Sequence, residues 1–324
     1  MGETAIVTLK RCGDYSRKKV YQIIAEHFEL LGGIDSFLSR GDRVLLKPNF
    51  IAPRSPRRAT QTHPAILIET ARLLKDFGAK PFIGDSPAWS NVKACVRVLN
   101  MEQQLKKLGV DAVQLKKSQK CRISAEACGV KISRIALEAD AIINIPKFKS
   151  HQQLVCTFVV KNMFGCVSGK QKAIWHFIKG RSSDDFCKFL IDIYRYMKPV
   201  VNIIDAVKIM EGPGPIRGRP RDLGWIVGGT DAIACEIVCG RLINMQPENI
   251  PIVRAATQIG FGCTDEARIK ILGDEFAQEV CKDFEMPKLI PIRFSLAHVM
   301  RSMLKQIWLL VKPLLSNQGK INSD

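Results

Sequence analysis

The sequence predicts an α/β fold: a mostly parallel sheet with helices on both faces, followed by a C-terminal amphipathic helix. Short apolar runs of strand length alternate with longer segments of helical period along most of the 324-residue chain. Most of these segments end at Gly or Pro, which punctuate secondary structure. Strands that are separated by helices need crossover connections, and such connections favour parallel pairing.

The elements follow in chain order. Gly32 and Gly33 stop the first helix, Pro64 suits the first turn of the second, and Gly78 closes it. A β-hairpin is predicted around Cys128-Gly129. The predicted strands are 5–9, 43–47, 81–84, 111–115, 141–145, 200–204 and 225–227, and the predicted helices are 17–31, 65–77, 92–107, 184–196 and 232–242.

Residues 1–285 are predicted to form the α/β domain, with a break into two lobes near 115–140. Residues 286–324 are predicted to be a basic amphipathic helix and tail. Within 292–312, apolar residues occupy one side of a helix and cations occupy the other. Such a helix fits a peripheral membrane contact, or packing on the domain or on a partner subunit.

Composition limits the class of partner and the compartment. The formal charge of +18 favours acidic partners, and the charge alone does not choose among nucleic acid, anionic lipid and anionic small molecules. The 11 cysteines contain no C-x-x-C spacing, so free buried thiols are the simplest interpretation. With no recognisable signal peptide, we expect a cytoplasmic protein, including one peripheral to the inner face of the membrane.

Polar side chains follow several of the predicted strands. Because ligands of open parallel sheets bind outside the carboxyl ends of the strands, these side chains are expected to line one crevice. A lysine directly after an apolar run must reach water or meet an anion. The predicted substrate-binding residues are Lys47, Asn49, Ser86, Lys147, Lys149, Lys161, Asn162 and Asp231.

Four further residues are candidates for catalysis: His63, Asp85, His151 and Asp205. His63 precedes Pro64 at a helix start, where a neutral ring suits proton transfer or a metal.

The structural alternatives stay open at this point. Ser86, Thr230 and Asp231 also fit plain helix caps, and His151 also fits a surface histidine. A divalent metal held among His63, His151, Asp85, Asp205 and Glu211 has suitable ligand types and no diagnostic spacing. Phosphate-loop motifs are missing, and Gly212-Pro213-Gly214-Pro215 is expected to form a rigid wall of the crevice.

Several motifs resemble a known family. They are Leu45-Leu46-Lys47-Pro48-Asn49, Thr62-His63-Pro64, Gly84-Asp85-Ser86-Pro87, Asn144-Ile145-Pro146-Lys147-Phe148-Lys149-Ser150-His151, Lys161-Asn162-Met163-Phe164-Gly165, the loop 212–218 and Gly229-Thr230-Asp231. In this order, from about residue 4 to 275, the chain resembles the domain-of-unknown-function family 362. The resemblance implies no general reaction.

Many members of that family carry a ferredoxin-like four-iron cluster module, commonly at the C-terminus. This chain has no cysteine after Cys281, so an intrinsic 4Fe–4S cluster is not expected. It also has Glu236 near a position where members often place Asp.

The favoured function is an enzyme or ligand-binding protein acting on an anionic small molecule. The reaction class is not defined; metal-assisted and redox-linked reactions are both open. The alternative is a redox-associated protein that works with a separate ferredoxin-type partner, an idea based only on the family. Nucleic-acid binding is less favoured, because no recognition motif occurs and the chain has only four Trp and four Tyr.

Overall fold

A computed structural model describes residues 4–88, 90–169, 171–275 and 281–292. The strands are β1 (Ala5–Arg11), β2 (Arg43–Pro48), β3 (Lys80–Asp85), β4 (Ala112–Gln114), β5 (Ser118–Ser124), β6 (Ala127–Ser133), β7 (Ala141–Ile145), β8 (Lys147–His151), β9 (Val155–Thr157), β10 (Val201–Glu211), β11 (Arg219–Gly229) and β12 (Ile269–Gly273). The helices are α1 (Arg17–Leu30), α2 (Pro64–Phe77), α3 (Val92–Val98), α4 (Glu102–Leu108), α5 (Arg134–Leu137), α6 (Gln171–Lys179), α7 (Ser183–Met197), α8 (Ala232–Arg241) and α9 (Pro251–Ile259). A 3-10 helix spans Val160–Cys166.

The main sheet has ten strands in the order β12-β1-β11-β10-β7-β2-β3-β4, with β8 beside β10 and β9 beside β8. The pairs of β10 with β7, β7 with β2, β2 with β3 and β3 with β4 are all parallel. β11 runs antiparallel to both of its neighbours. The carboxyl ends of β2, β3, β7 and β10 therefore lie at one edge of the sheet.

Successive side chains of each central strand point to opposite faces of the sheet, and helices cover both faces. Leu46 and Ile143 pack with apolar residues of α1 to α4, whereas Leu45 and Ile142 pack with residues of α7, α8 and α9. This confirms the predicted α/β fold with helices on both faces. It also explains why these strands are continuous apolar runs in the sequence.

Two elements differ from their predictions. The segment 92–107 is two helices, α3 and α4, because Asn100 adopts a left-handed conformation with φ of 53° and ends the first. β10 and β11 each extend to 11 residues and form an antiparallel hairpin. The loop 212–218 therefore joins these two strands, and Gly214 packs against the backbone carbonyl of Ser150 in β8.

Residues 118–133 form the predicted hairpin, β5 with β6. Its Val130 and Ile132 belong to the same buried cluster as Ile142 of the main sheet, so the hairpin packs on the α/β core. The predicted helix at 292–312 lies outside the described residues beyond Ile292.

The cysteines are all free thiols and most are buried, as the spacing suggested. Within the described parts of the chain, no helix is both long enough and apolar enough to cross a bilayer.

Candidate functional site

The site forms where β2, β3, β7 and β8 meet the loops that follow them. Lys47 lies beside Asn144 across the β2–β7 pair, and Lys147 lies beside Asp205 across the β8–β10 pair. Within β8, side chains two residues apart share one face, so Lys147, Lys149 and His151 project together. The sheet register thus gathers several cations at its carboxyl edge.

The first of two buried ion pairs joins Lys47 to Asp85. Lys47 Nζ lies 2.7 Å from Asp85 Oδ1, and the side chains are 1% and 3% exposed. Asp85 also accepts hydrogen bonds from the backbone amides of Phe50 and Ser86, each at 2.7 Å. A methyl group on Gly165 would lie 2.5 Å from both charged atoms. The glycine therefore lets the 3-10 helix close directly over the pair.

The second buried pair joins Lys147 to Asp205 at 2.8 Å. Tyr15, from the loop before α1, donates its hydroxyl to Asp205 Oδ1 at 2.8 Å and accepts from Lys147 Nζ at 3.0 Å. The backbone amide of His63 donates to Asp205 Oδ2 at 2.8 Å. Every charged atom of this pair thus has a hydrogen-bond partner, which a buried pair needs in order to offset its desolvation.

His63 is the N-cap of α2, and its ring stacks on Tyr15 with centroids 3.4 Å apart. Its Nδ1 accepts a hydrogen bond from Ala65 N, so in the neutral ring Nε2 carries the proton. Burial lowers the pKa of His63 to about 4, against the opposing influence of Asp205. At neutral pH the residue is therefore an uncharged hydrogen-bond donor through Nε2.

A series of hydrogen-bonded amides, buried except for the half-buried Asn49, runs from Lys149 through the sheet. Each amide donates to the oxygen of the next, so the orientation of every side chain is fixed. The members in order of donation are Lys149, Asn49, Asn162, Asn144, Asn202 and the carbonyl of Gly229. This series of hydrogen bonds fixes the position of the Lys149 amine.

Lys149, Lys161 and Lys172 form a second group of cations, here called the unpaired cluster. None of the three has a carboxylate within ion-pair distance in the described ranges. Lys149 donates to Asn49 and, at 2.9 Å, to the carbonyl of Thr60, while Lys172 donates to the carbonyl of Ser86.

The pKa values of these lysines are lowered, chiefly because burial disfavours the charged form. The pKa of Lys149 lies well below its ordinary value, with the positive charge of Lys161 adding to the effect of burial. The pKa values of Lys161 and Lys172 are each lowered to about 8.

His151 belongs to the same neighbourhood. It is buried, and burial together with the charges of Lys161 and Lys149 holds its pKa well below the usual range. Its Nδ1 accepts from Gln153 N at 3.1 Å, so Nε2 carries the proton of the neutral ring. The residue is not the surface histidine that the sequence left open.

One predicted site residue lies elsewhere. Asp231 follows β11, and because β11 is antiparallel, its carboxyl end lies beside Asn202 at the start of β10. Asp231 caps α8 there by accepting from Ile233 N, Ala234 N and Cys263 N. The prediction that it lines the crevice is wrong, and the helix-cap alternative is correct.

The structure also adds residues that sequence reasoning missed. Tyr15 lies in the loop between β1 and α1, four residues after the strand ends, and Lys172 lies on a helix where lysine is ordinarily a surface charge. Glu236 accepts from the amides of Val159 and Val160 and positions the 3-10 helix, and burial raises its pKa to about 7. Only Glu236 carried a signal, as a carboxyl group in an apolar helix.

The candidate metal ligands are not arranged as a metal site in the part of the chain that the structure describes. Among the described residues, no group of three or more His, Cys, Asp or Glu side chains is arranged to hold an ion. Lysine ammonium groups already neutralise Asp85 and Asp205, and Glu211 pairs with Arg221 at 3.0 Å. The three candidate carboxylates are therefore engaged by cationic side chains.

Fold and site together define an α/β protein with a cluster of buried and half-buried cations at the carboxyl edge of its sheet. The chain belongs to the family described as domain of unknown function (DUF362), whose profile matches residues 44–241. The matched range contains every crevice residue described above except Tyr15.

Two known proteins are similar over most of this chain. It is 33% identical over 304 residues to the thylakoid-associated protein sll1697 of Synechocystis, covering 94% of each chain. The lactate racemase apoprotein of Thermoanaerobacterium thermosaccharolyticum shares the fold with a TM-score of 0.50 at 11% identity. That likeness covers 74% of this chain and 57% of the racemase, and it concerns the fold alone.

Proposed function

We propose that the protein binds an anionic small molecule in the crevice and acts on it as an enzyme. The observation that carries the proposal is the unpaired cluster, in which Lys149 is buried and Lys161 and Lys172 are half-buried. Burying a charge without a counter-charge is costly, and folded proteins rarely retain such groups without a use for them. A carboxylate or phosphate group bound among the three ammonium groups would offset that cost.

The paired and unpaired residues take different roles in this proposal. The unpaired cluster receives the anionic group of the ligand, and Asn49 and Asn162 hold the cluster in position. His63 and His151, both neutral with a proton on Nε2, donate hydrogen bonds to the rest of the ligand. Lys47, Lys147, Asp85 and Asp205 shape the crevice through their ion pairs.

A thermal-shift series tests the proposal. The probes are malonate, inorganic phosphate and chloride at matched ionic strength, because only the first two present a multivalent anion. We expect malonate or phosphate to raise the melting temperature of the wild type and to have little effect on Lys161→Met. Lys106→Met removes an exposed lysine of α4 and should respond like the wild type.

The proposal fails if malonate, phosphate and chloride give equal shifts, or if Lys161→Met responds as strongly as the wild type. In parallel, native mass spectrometry of the freshly purified protein identifies a small molecule that co-purifies with it. Metal analysis of an anaerobic preparation tests the iron–sulfur alternative, and the ferredoxin-type partner stays a prediction.

A second proposal concerns location: that the protein associates peripherally with an anionic membrane surface. It is supported by the net charge of +18, by the name of the thylakoid-associated relative, and by exposed Leu289 and Ile290 beside Lys288. Co-sedimentation with phosphatidylglycerol vesicles, and not with phosphatidylcholine vesicles, is the expected result. Equal binding to both, or none, contradicts it.

A further inference from the structure

Lys161 differs from every other lysine of the crevice. Lys47 and Lys147 are held in ion pairs, and Lys149 and Lys172 donate to protein oxygens. Lys161 has neither a hydrogen-bond nor an ion-pair partner in the part of the chain that the structure describes. Its side chain is partly accessible, whereas both neighbours in sequence are buried.

The backbone that carries Lys161 is fixed. Glu236 accepts from the amides of Val159 and Val160, and Asn162 donates to the carbonyl of Lys47 at 3.0 Å and to Asn144. Lys161 therefore projects from a rigid base while its amine remains unengaged. An amine held in this way needs no protein hydrogen bond to be broken before it reacts.

The surroundings of Lys161 favour the neutral amine. Lys172 and Lys149 lie within electrostatic range, as do His151 and His176. Burial lowers the pKa of Lys161 to about 8, so roughly a tenth of the amine is unprotonated at neutral pH. A partly desolvated lysine beside other cations is an arrangement that activates an amine as a nucleophile.

We propose that Lys161 forms an imine with the carbonyl carbon of a carboxylate that also carries an aldehyde or keto group. The inference rests on the proposed function, since Lys149 and Lys172 would bind the carboxylate group and bring the carbonyl to Lys161. It goes further by naming the substrate class and the nucleophile.

The bond changes balance without an oxidant or reductant. The Nζ lone pair attacks the carbonyl carbon, the C–N bond forms, and the carbonyl π electrons move to oxygen. Nitrogen loses a proton and oxygen gains one, which gives a carbinolamine. That hydroxyl takes a further proton and leaves as water while the second nitrogen proton is lost and the C=N bond forms. Solvent supplies the proton that the hydroxyl takes and receives the second nitrogen proton, while Nε2–H of the neighbouring His151 donates a hydrogen bond to the departing oxygen.

Reductive trapping tests the inference. The full-length protein is incubated with glyoxylate, pyruvate or oxaloacetate in the presence of cyanoborohydride, and the intact mass and the modified peptide are determined. We expect one stable adduct at Lys161 that forms at least ten times faster than adducts on surface lysines. Lys161→Arg should lose this adduct, whereas Lys106→Arg should retain it.

The inference is overturned if adducts form on Lys161 no faster than on Lys106, or if Lys161→Arg is trapped elsewhere in the crevice at the wild-type rate. Malonate, which has no ketone or aldehyde, separates the two proposals. Stabilisation by malonate without trapping contradicts the imine proposal and supports the anion site. Trapping without stabilisation contradicts the anion site and supports the reactive amine. If neither response is seen, both proposals are wrong.

Discussion

The crevice contains two kinds of lysine that look alike in sequence and differ in the folded protein. Lys47 and Lys147 each follow an apolar strand and each meets a buried carboxylate at less than 3 Å. Lys149 and Lys161 also follow apolar runs and meet no carboxylate in the described ranges. The first kind is neutralised by the protein itself, and the second has no counter-charge among the described residues.

The comparison separates the lysines that stabilise the fold from those that we propose bind a ligand. The paired lysines have protein contacts in place of water. Asp205, for example, pairs with Lys147 and accepts hydrogen bonds from Tyr15 and from the amide of His63. Of the unpaired lysines, Lys149 and Lys172 donate to carbonyl and amide oxygens, which supply no net charge, and Lys161 has no hydrogen-bond partner among the described residues. Mutation of a paired residue should therefore lower the free energy of unfolding, whereas mutation of an unpaired lysine should weaken ligand binding and leave stability unchanged or higher.

The largest effect is expected at Asp205. Asp205→Ala leaves the Lys147 ammonium buried and unpaired and removes the acceptor of two further hydrogen bonds. Breaking a buried pair from one side costs about 3–5 kcal/mol in free energy of unfolding. Chemical denaturation measures it, and Asp205→Asn, which retains an acceptor oxygen, should lose less.

The matched control for that measurement is Asp222→Ala, which breaks the exposed Lys208–Asp222 pair. A surface pair contributes about 0–1 kcal/mol, so the control should be nearly neutral. If Asp205→Ala and Asp222→Ala destabilise equally, the distinction between the two kinds of lysine loses its energetic basis.

Gly165→Ala is expected to have the next largest effect. The added methyl group would lie 2.5 Å from Lys47 Nζ and Asp85 Oδ1, so the 3-10 helix must move away from the pair. Overpacking of this kind costs about 1–3 kcal/mol, again measured by denaturation. Gly13→Ala has open space around the new methyl group and should cost less than about 1 kcal/mol. Equal losses would show that Gly165 does not pack on the pair.

Part of this site could be predicted from sequence, for physical reasons that can be named. Lys47, Lys147 and Lys149 each stand next to apolar residues of a strand, so burial was expected. Parallel pairing then brought Asp85 and Asp205 to the same edge. Pattern and topology were sufficient wherever the residue lay at the end of a parallel strand.

The rest depended on information that a local pattern lacks. The position of Asp231 depends on the direction of β11, which pairs antiparallel with β10. The sequence pattern predicted a rigid wall at 212–218 and did not predict that this loop joins two antiparallel strands. Tyr15 reaches the site from the opposite end of the sequence through a contact with Asp205, 190 residues away. Which lysines are paired is likewise a question of three-dimensional distance.

A smaller effect of opposite sign is expected at Lys161. Because its ammonium is desolvated with no partner in the described structure, Lys161→Met should leave the free energy of unfolding unchanged or raise it by up to about 1 kcal/mol in the absence of ligand. Lys147→Met should instead destabilise, since it leaves Asp205 buried and unpaired. A loss at Lys161 as large as that at Lys147 would mean that Lys161 also serves the fold.

The smallest effect is a pH dependence that belongs to the unpaired cluster alone. Lys161 and Lys172 have pKa values lowered from 10.5 to about 8, so between these values the unfolded chain binds more protons than the folded protein. Stability contributed by this difference therefore rises with pH from about 8 to 10.5. Buried thiols such as Cys95 and Cys166, with pKa values raised from 9.0 to about 12, act in the opposite direction from about pH 9 upward.

The difference between two proteins isolates the lysines, because the thiols are common to both. We expect the double variant Lys161→Met, Lys172→Met to be more stable than the wild type at pH 7, and that advantage to shrink as pH approaches 10.5. Denaturation midpoints at intervals across this range measure it, and Lys106→Met supplies the baseline for loss of an exposed lysine. A constant advantage at all pH values would mean that both ammonium groups titrate as free lysines do. The unpaired cluster would then be solvated, and the case for a bound anion would lose its main support.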